Sequence, residues 1–169
     1  MTGQGTPTGK MLMLYHENAA FGVRVVGVLV HDGRVLLQRA EGDDFWALPG
    51  GRIELLERSP DALRREMQEE LGIMVKVGRL LWVEENFYEH DGRECHGIGF
   101  YYLMSVPPDT PLLQRPETYG YEVDGDLRLI FRWFSLDALP GLRLYPTHLR
   151  EGLRALPETT VHVIHRDTE

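Results

Sequence analysis

Three carboxylates on one predicted helix are the residues of this sequence best suited to chemistry. Glu66, Glu69 and Glu70 are spaced i, i+3 and i+4, and at about 100° per residue these positions share one stripe of a helix. Like charges this close raise carboxylate pKa values and cost stability unless cations lie between them. Mg²⁺ prefers oxygen ligands and combines a few carboxylates with waters and substrate phosphates. The spacing therefore predicts a Mg²⁺ site beside a phosphate-containing substrate.

The residues around these acids have properties that suit the same site. Arg65 is a fixed cation that could pair with Glu69 at i+4 or with Glu57, and so orient a carboxylate. Gly50 and Gly51 allow the backbone to approach a ligand closely, and a carbonyl there could be a further metal ligand. The alternative is that the acids are ordinary solvated helix surface, which is the usual role of acidic triplets.

The predicted helix that positions these acids has clear ends. Ser59 is a suitable N-cap, and Pro60 suits the first helical position. The helix is expected to run to about Leu71 and to stop at Gly72. Apolar residues recur every four positions along it, as on the core-facing side of an amphipathic helix; they are Leu63, Met67 and Leu71.

The remaining pattern consists mainly of strands in hairpins. We expect a hairpin from residues 22–30 and 34–39, a long hairpin from 74–87 and 97–106, a mobile loop over 107–127, a strand over 127–134, a helical turn over 135–139, a helix over 147–156 and a strand over 160–164. This order predicts an α+β fold, a three-layer αβα sandwich with a mixed sheet.

The full spacing from Gly51 to Ile73 resembles the Nudix box, complete at every signature position. The resemblance implies a three-layer αβα sandwich and hydrolysis of a pyrophosphate bond in a nucleoside diphosphate linked to another moiety, with Mg²⁺ or Mn²⁺. It also implies metal ligation by Glu66, Glu69 and Glu70, to which we add a backbone carbonyl at Gly50.

The resemblance implies further roles within and beyond the box. Arg65 would orient a metal-binding glutamate, and Glu57 would organise the loop. We expect Glu66 to be the general base, with a base on the later loop as the alternative; the candidates there are Glu117, Glu122 and Asp124.

Substrate contacts are expected mainly outside the metal site. Arg39 is expected to reach a phosphate, and Gly51 to let the backbone approach the substrate. Trp46 is a candidate stacking platform, although we favour its role as an anchor of the loop. Leu55 and Leu56 stand where many family members have a turn pair such as Pro-Gly, so we expect altered loop packing with metal binding retained.

Composition limits the rest of the interpretation. The chain has 169 residues, 43% hydrophobic content and a net charge of −8, which disfavours nucleic-acid and anionic-membrane partners. One cysteine and the absence of a signal-like segment predict a cytoplasmic enzyme with a flexible segment over 1–15 and one domain over 16–169. A homodimer is possible. The rival interpretations are a nucleotide sensor that does not cleave its ligand, and an isomerase or adenine-pairing glycosylase domain.

Overall fold

The computed structural model describes residues 11–122 and 126–168. Within these residues the chain forms ten strands, one α-helix of 13 residues and one of four. The strands are β1 (Met13–His16), β2 (Ala19–Val28), β3 (Val30–His31), β4 (Arg34–Ala40), β5 (Gly50–Arg52), β6 (Lys76–His90), β7 (Arg93–Ser105), β8 (Glu117–Tyr121), β9 (Arg128–Ser135) and β10 (Val161–Arg166), and the helices are α1 (Ser59–Leu71) and α2 (Leu149–Gly152).

The strands are arranged in two sheets. The larger has the order β1-β2-β7-β6-β10, and β5 pairs with β2 on the side that also carries β1. It is mixed, because β2 is parallel to β7 and β10 is parallel to β6. The smaller sheet has the order β3-β4-β9-β8 and is antiparallel throughout.

Helical segments cover opposite faces of this framework. Neighbouring residues of a strand point to opposite faces, and on β2 Val25 packs in the same cluster as Leu63 and Met67 of α1. Val26 packs instead in the cluster that contains Leu149 of α2. This layering confirms the predicted α+β fold with a mixed sheet between helices.

Helix α1 begins and ends where the sequence predicts, but its cap differs. Arg58, in extended conformation, occupies the N-cap position, and Ser59 is the first helical residue. The Ser59 hydroxyl is hydrogen-bonded to the Tyr102 hydroxyl at 2.8 Å, so it ties the helix to β7. At the other end Gly72 adopts a φ of 65°, and its N–H bonds back to the carbonyl of Gln68.

The apolar run over residues 22–30 is not one strand. It contributes β2 to the large sheet and β3 to the small one, with the buried Leu29 between them. The predicted hairpin therefore forms only between β3 and β4, and the run connects the two sheets.

The prediction of a mobile loop over residues 107–127 is wrong for most of that segment. A 3₁₀ helix occupies Pro111–Gln114, and β8 pairs with β9. Leu112 is buried, and its carbonyl accepts a hydrogen bond from the indole N–H of Trp133 at 3.0 Å. Residues 123–125 lie outside the described residues.

Two terminal assignments also differ from expectation. Part of the segment predicted to be flexible over 1–15 belongs to β1, which pairs with β2 from Met13 onward; residues 1–10 lie outside the described residues. The helix predicted over 147–156 is reduced to α2 and a following turn. None of the described helices has the length and apolar character needed to cross a membrane.

Candidate active site

Arg65 is the centre of the carboxylate cluster on α1. Its Nε and Nη2 atoms donate to the two oxygens of Glu57 at 2.7 and 2.9 Å, and its Nη1 atom donates to Glu66 at 2.9 Å and Glu69 at 3.1 Å. Its Nη2 atom also donates to the carbonyl of Arg52 at 3.0 Å. Both pairings considered from the sequence are therefore present, and one guanidinium fixes three carboxylates.

Glu57 connects the preceding loop to the helix. Its Oε2 atom accepts the backbone N–H of Glu54 at 3.0 Å, and the hydrogen bond from Arg65 lowers the pKa of Glu57. Leu56, in the same loop, has a φ of 67° and is 97% exposed. This left-handed conformation favours glycine, so the loop keeps the shape of a turn although Leu55-Leu56 replace the usual turn pair.

Glu66 is packed against the backbone of β5. A Cβ atom on Gly51 would collide with the Glu66 carboxyl group, so only glycine leaves room for it. Burial raises the pKa of Glu66, while the hydrogen bond from Arg65 acts in the opposite direction. The glycine expected to permit close backbone approach thus does so toward a carboxylate of α1.

Glu70 is the most perturbed carboxyl group of the cluster. Burial, with repulsion from Glu66, raises the pKa of Glu70 to about 8. Its Oε2 atom is buried and has no hydrogen-bond partner. A Cβ atom on Gly120 would collide with the Glu70 carbonyl oxygen, which shows that β8 lies directly against this end of α1.

The later-loop candidates for a general base are placed differently. Glu117 accepts hydrogen bonds from Tyr119 and Arg132, and these lower its pKa. Glu122 is exposed, and its charge contributes to the raised pKa of Glu70, so it lies near that group. Asp124 lies outside the described residues.

The side chains of α1 have the chemistry that a hard divalent cation requires. Among the described residues, no group of three or more His, Cys, Asp or Glu side chains forms a ready-made cage for a metal. Mg²⁺, however, commonly binds through one or two carboxylates, with waters and substrate phosphates as the other ligands. The partnerless buried oxygen of Glu70 and the carboxylates held by Arg65 fit such an ion, and ligation by the Gly50 carbonyl stays a prediction.

Two predicted substrate contacts lie elsewhere. The indole of Trp46 is 7% exposed in the core and packs edge-to-face with Phe134, with ring centroids 4.7 Å apart. Arg39 lies over the Trp46 ring at 5.0 Å, and its guanidinium donates to the Asp43 carbonyl. Neither residue lines the two clefts described below, so Trp46 has the position of a loop anchor, and phosphate binding by Arg39 stays a prediction.

Arg24 is a site residue that the sequence analysis missed. It is exposed on β2, and its positive charge opposes the rise in pKa of both Glu66 and Glu70. It lines two adjoining clefts, one of about 350 Å³ and one of about 1060 Å³. The sequence contains a signal that could have identified Arg24, because it is the only charged residue in the apolar run over 22–30.

Comparison with known proteins settles the family of the chain. The family model described as "NUDIX domain" matches residues 21–156, which includes the whole carboxylate cluster. The chain belongs to the Nudix family. This confirms the relationship expected from the spacing of the box.

Relatives of this chain are named for several activities. The chain is 45% identical over 65 residues to a MutT-like protein of Streptomyces ambofaciens, which covers 38% of this chain and 42% of that protein. It is 29% identical over 124 residues to an RNA pyrophosphohydrolase of Actinobacillus pleuropneumoniae, a match that covers 65% of this chain and 58% of that protein. It is 39% identical over 89 residues to an ADP-ribose pyrophosphatase of Methanocaldococcus jannaschii, with 50% of each chain covered. The chain thus spans about half the length of the curated relatives it matches.

Solved structures agree with the fold. A MutT Nudix hydrolase from Burkholderia pseudomallei is 27% identical with a TM-score of 0.52, covering 77% of this chain and 95% of that one. A MutT protein from Bacillus halodurans is 18% identical with a TM-score of 0.59, covering 86% and 90%, and shows the shared Nudix fold alone.

Proposed function

We propose that this Nudix protein hydrolyses a pyrophosphate bond in a nucleoside diphosphate linked to another moiety, with Mg²⁺ or Mn²⁺ as cofactor. The observation that carries the proposal is the arrangement on α1. Arg65 holds Glu57, Glu66 and Glu69, while Glu70 keeps a buried oxygen without a partner. A buried carboxyl oxygen left unsatisfied costs stability, so its presence on the helix that carries the Nudix box supports a ligand-binding role.

The proposed metal ligands are Glu66, Glu69, Glu70 and the carbonyl of Gly50. When bound, the divalent cation would neutralise pyrophosphate oxygens and lower the pKa of a bound water. Arg65 positions the carboxylates for this task, and Glu57 holds Arg65 through its two hydrogen bonds.

Glu66 is the proposed general base. Its carboxyl group has a raised pKa, and it lies against the Gly51 backbone at the centre of the cluster. A base on the later loop is the second candidate, and the position of Glu122 near Glu70 favours that residue over Glu117.

The proposed partners are small nucleotide derivatives. Relatives are named for ADP-ribose and CTP, which supports this substrate class. We also propose a cytoplasmic location, as expected from the single cysteine, Cys95, and a homodimer, which the sequence analysis left as a possibility.

A substrate panel tests the proposal. ADP-ribose, nucleoside triphosphates, nucleotide sugars, dinucleoside polyphosphates, coenzyme A and capped RNA are incubated with Mg²⁺ or Mn²⁺, with EDTA as the control, and the products are identified by mass. We expect at least one substrate to give two phosphorylated products only when metal is present. Binding of a nucleotide by calorimetry without any product would favour the sensor instead.

A further inference from the structure

Strand β10 forms an unprotected edge of the large sheet. It pairs with β6 on one side, and no strand of the described residues lies on its other side. Proteins commonly protect such an edge with a very short strand, a proline or an inward-pointing charge. The opposite edge strand, β1, has only four residues, whereas β10 has six and contains no proline. The outer backbone of β10 is therefore free to pair with a further strand.

The register of β10 shows which of its backbone groups face outward. The N–H of Asp167, directly after the strand, donates to the carbonyl of Phe87 at 3.0 Å. Successive residues of a strand turn their backbone groups to opposite sides, so the N–H and C=O groups of His162, Ile164 and Arg166 point away from β6. These alternating donors and acceptors form the hydrogen-bonding edge that a partner strand requires.

The side chains of the same three residues share one face of the sheet. Ile164, at the centre, is 69% exposed and is flanked by the exposed His162 and Arg166. The ring of His162 is bonded to Glu85 of β6 at 2.8 Å. The guanidinium of Arg166 lies over the Phe87 ring at 5.3 Å, and no carboxylate of the described residues forms an ion pair with it. The edge thus has an apolar centre, with an acid on one side and an unpaired cation on the other.

A second copy of this chain complements the edge. A twofold axis pairs two identical edge strands antiparallel, and an axis at Ile164 places the two copies of that residue opposite each other. Arg166 of each copy then lies opposite His162 of the other, with Cα atoms about 5.5 Å apart, as in a hydrogen-bonded antiparallel pair. From this position the long side chain of Arg166 reaches toward Glu85 beside His162. The apolar centres meet, and the cation of each copy meets the acid of the other.

We propose that β10 is the interface of a homodimer, in which the β10 strands of two copies pair antiparallel about Ile164 and Arg166 of each copy binds Glu85 of the other. The inference rests on the homodimer proposed above and gives it an interface. It does not depend on the hydrolytic activity. The large sheet then continues from one copy into the next.

This interface would also support one wall of the larger cleft. Asp167 lines that cleft, and its Oδ1 atom accepts the backbone N–H and the hydroxyl of Thr147 at 3.0 and 2.9 Å. Thr147 directly follows Tyr145 and Pro146, which line the same cleft. Pairing of β10 with a second copy therefore holds in place the strand end to which this wall is bonded.

Sedimentation equilibrium over about 1 μM to 1 mM protein tests the interface. We expect the mass to rise from the 19.4 kDa of one chain toward twice that value. Ile164→Lys places two like charges at the twofold axis, so it should raise the dissociation constant at least about tenfold. Leu14→Lys is the matched control, because Leu14 is 68% exposed on β1, and it should leave the constant unchanged. A monomer at every concentration would overturn the homodimer and the interface together, and equal effects of the two variants would overturn the interface alone.

A charge exchange tests the contact between Arg166 and Glu85. Arg166→Glu and Glu85→Arg each bring like charges together twice per dimer, so each should raise the dissociation constant about tenfold. The double variant R166E/E85R restores opposite charges and should return the constant to within about threefold of the wild type. Circular dichroism verifies that the variants are folded. A folded double variant that dimerises no better than the single variants would overturn the pairing about Ile164. The substrate panel measures hydrolysis separately, so a failure of that proposal is distinguishable from a failure of this one.

Discussion

Two carboxyl groups of this protein have opposite surroundings: Glu84 on β6 is fully buried, and Glu70 on α1 is partly buried. Glu84 is 1% exposed, and both of its oxygens are used: one bonds to His148 at 2.6 Å and the other accepts the hydroxyl of Tyr101. Glu70 has a buried oxygen with no partner and a pKa raised to about 8.

The difference distinguishes a carboxyl group that stabilises the fold from one that is a candidate for catalysis. A buried polar group with all its hydrogen bonds made can stabilise a fold, whereas one left without a partner destabilises it. The Glu84 network joins β6, β7 and the residue before α2, so we assign it to stability. The α1 cluster keeps an unsatisfied group, and perturbed carboxyl groups of this kind are typical of active sites.

Replacing the acids of α1 should have the largest effect on activity. We expect Glu69→Gln and Glu70→Gln each to reduce metal-dependent turnover by about 10²–10⁴-fold, because the cation supplies several kcal/mol of transition-state stabilisation. The melting temperature of Glu70→Gln should not fall, since the variant removes an unpaired buried carboxylate. Unchanged turnover in both variants would refute the metal assignment.

A methyl group on Gly51 should have the next largest effect. In Gly51→Ala the new Cβ displaces the Glu66 carboxyl group, so we expect turnover to fall by about 10–100-fold, as small misplacements of catalytic groups do. Gly141→Ala is the matched control, because a Cβ there meets nothing within 4 Å. Equal turnover in the two variants would show that the Gly51–Glu66 packing has no catalytic importance.

In the Glu84 network, Tyr101→Phe should lower the stability of the fold. It leaves one buried oxygen of Glu84 without its donor, which costs about 1–3 kcal/mol, and chemical denaturation measures the loss. Tyr121→Phe, at a residue 59% exposed, is the control and should be neutral. A neutral Tyr101→Phe would mean that the Glu84 network does not stabilise the fold.

Glu70 also predicts a pH dependence of stability in the metal-free protein. The pKa of Glu70 is raised in the folded state to about 8 from its ordinary value of 4.5, so folding favours the protonated form. Glu70 therefore costs no stability below about pH 4.5, and an increasing amount as the pH rises toward 8. Chemical denaturation in EDTA measures the free energy of unfolding at each pH. This free energy should decline less between pH 4.5 and 8 in Glu70→Gln than in the wild type. Equal declines in the two proteins would contradict the raised pKa of Glu70.

The arrangement of the acids on α1 could be predicted from the sequence because it depends on local spacing. The bounds of α1, the stop at Gly72 and the pairing of Arg65 with Glu57 all follow from residues close in the chain. The N-cap was misassigned because the Ser59 hydroxyl bonds instead to Tyr102, 43 residues away.

Features that depend on distant contacts were not predictable in the same way. The Pro-, Gly- and acid-rich surroundings of β8 favour a loop, yet pairing with β9 forms a strand, and Gly120 lets it lie against Glu70. The packing around the backbone of Glu70 thus involves a segment outside the box. Arg24 was missed because its cleft is assembled from several strands.

The most direct test of the central claim is hydrolysis in ¹⁸O-labelled water of the substrate that the panel turns over fastest. We predict that one of the two phosphorylated products carries a single ¹⁸O atom, that the label appears only with Mg²⁺ or Mn²⁺, and that Glu70→Gln loses it in proportion to turnover. Three results would contradict metal-dependent pyrophosphate hydrolysis at α1: products without the label, labelling that persists in EDTA, or substrates that stay intact throughout the panel.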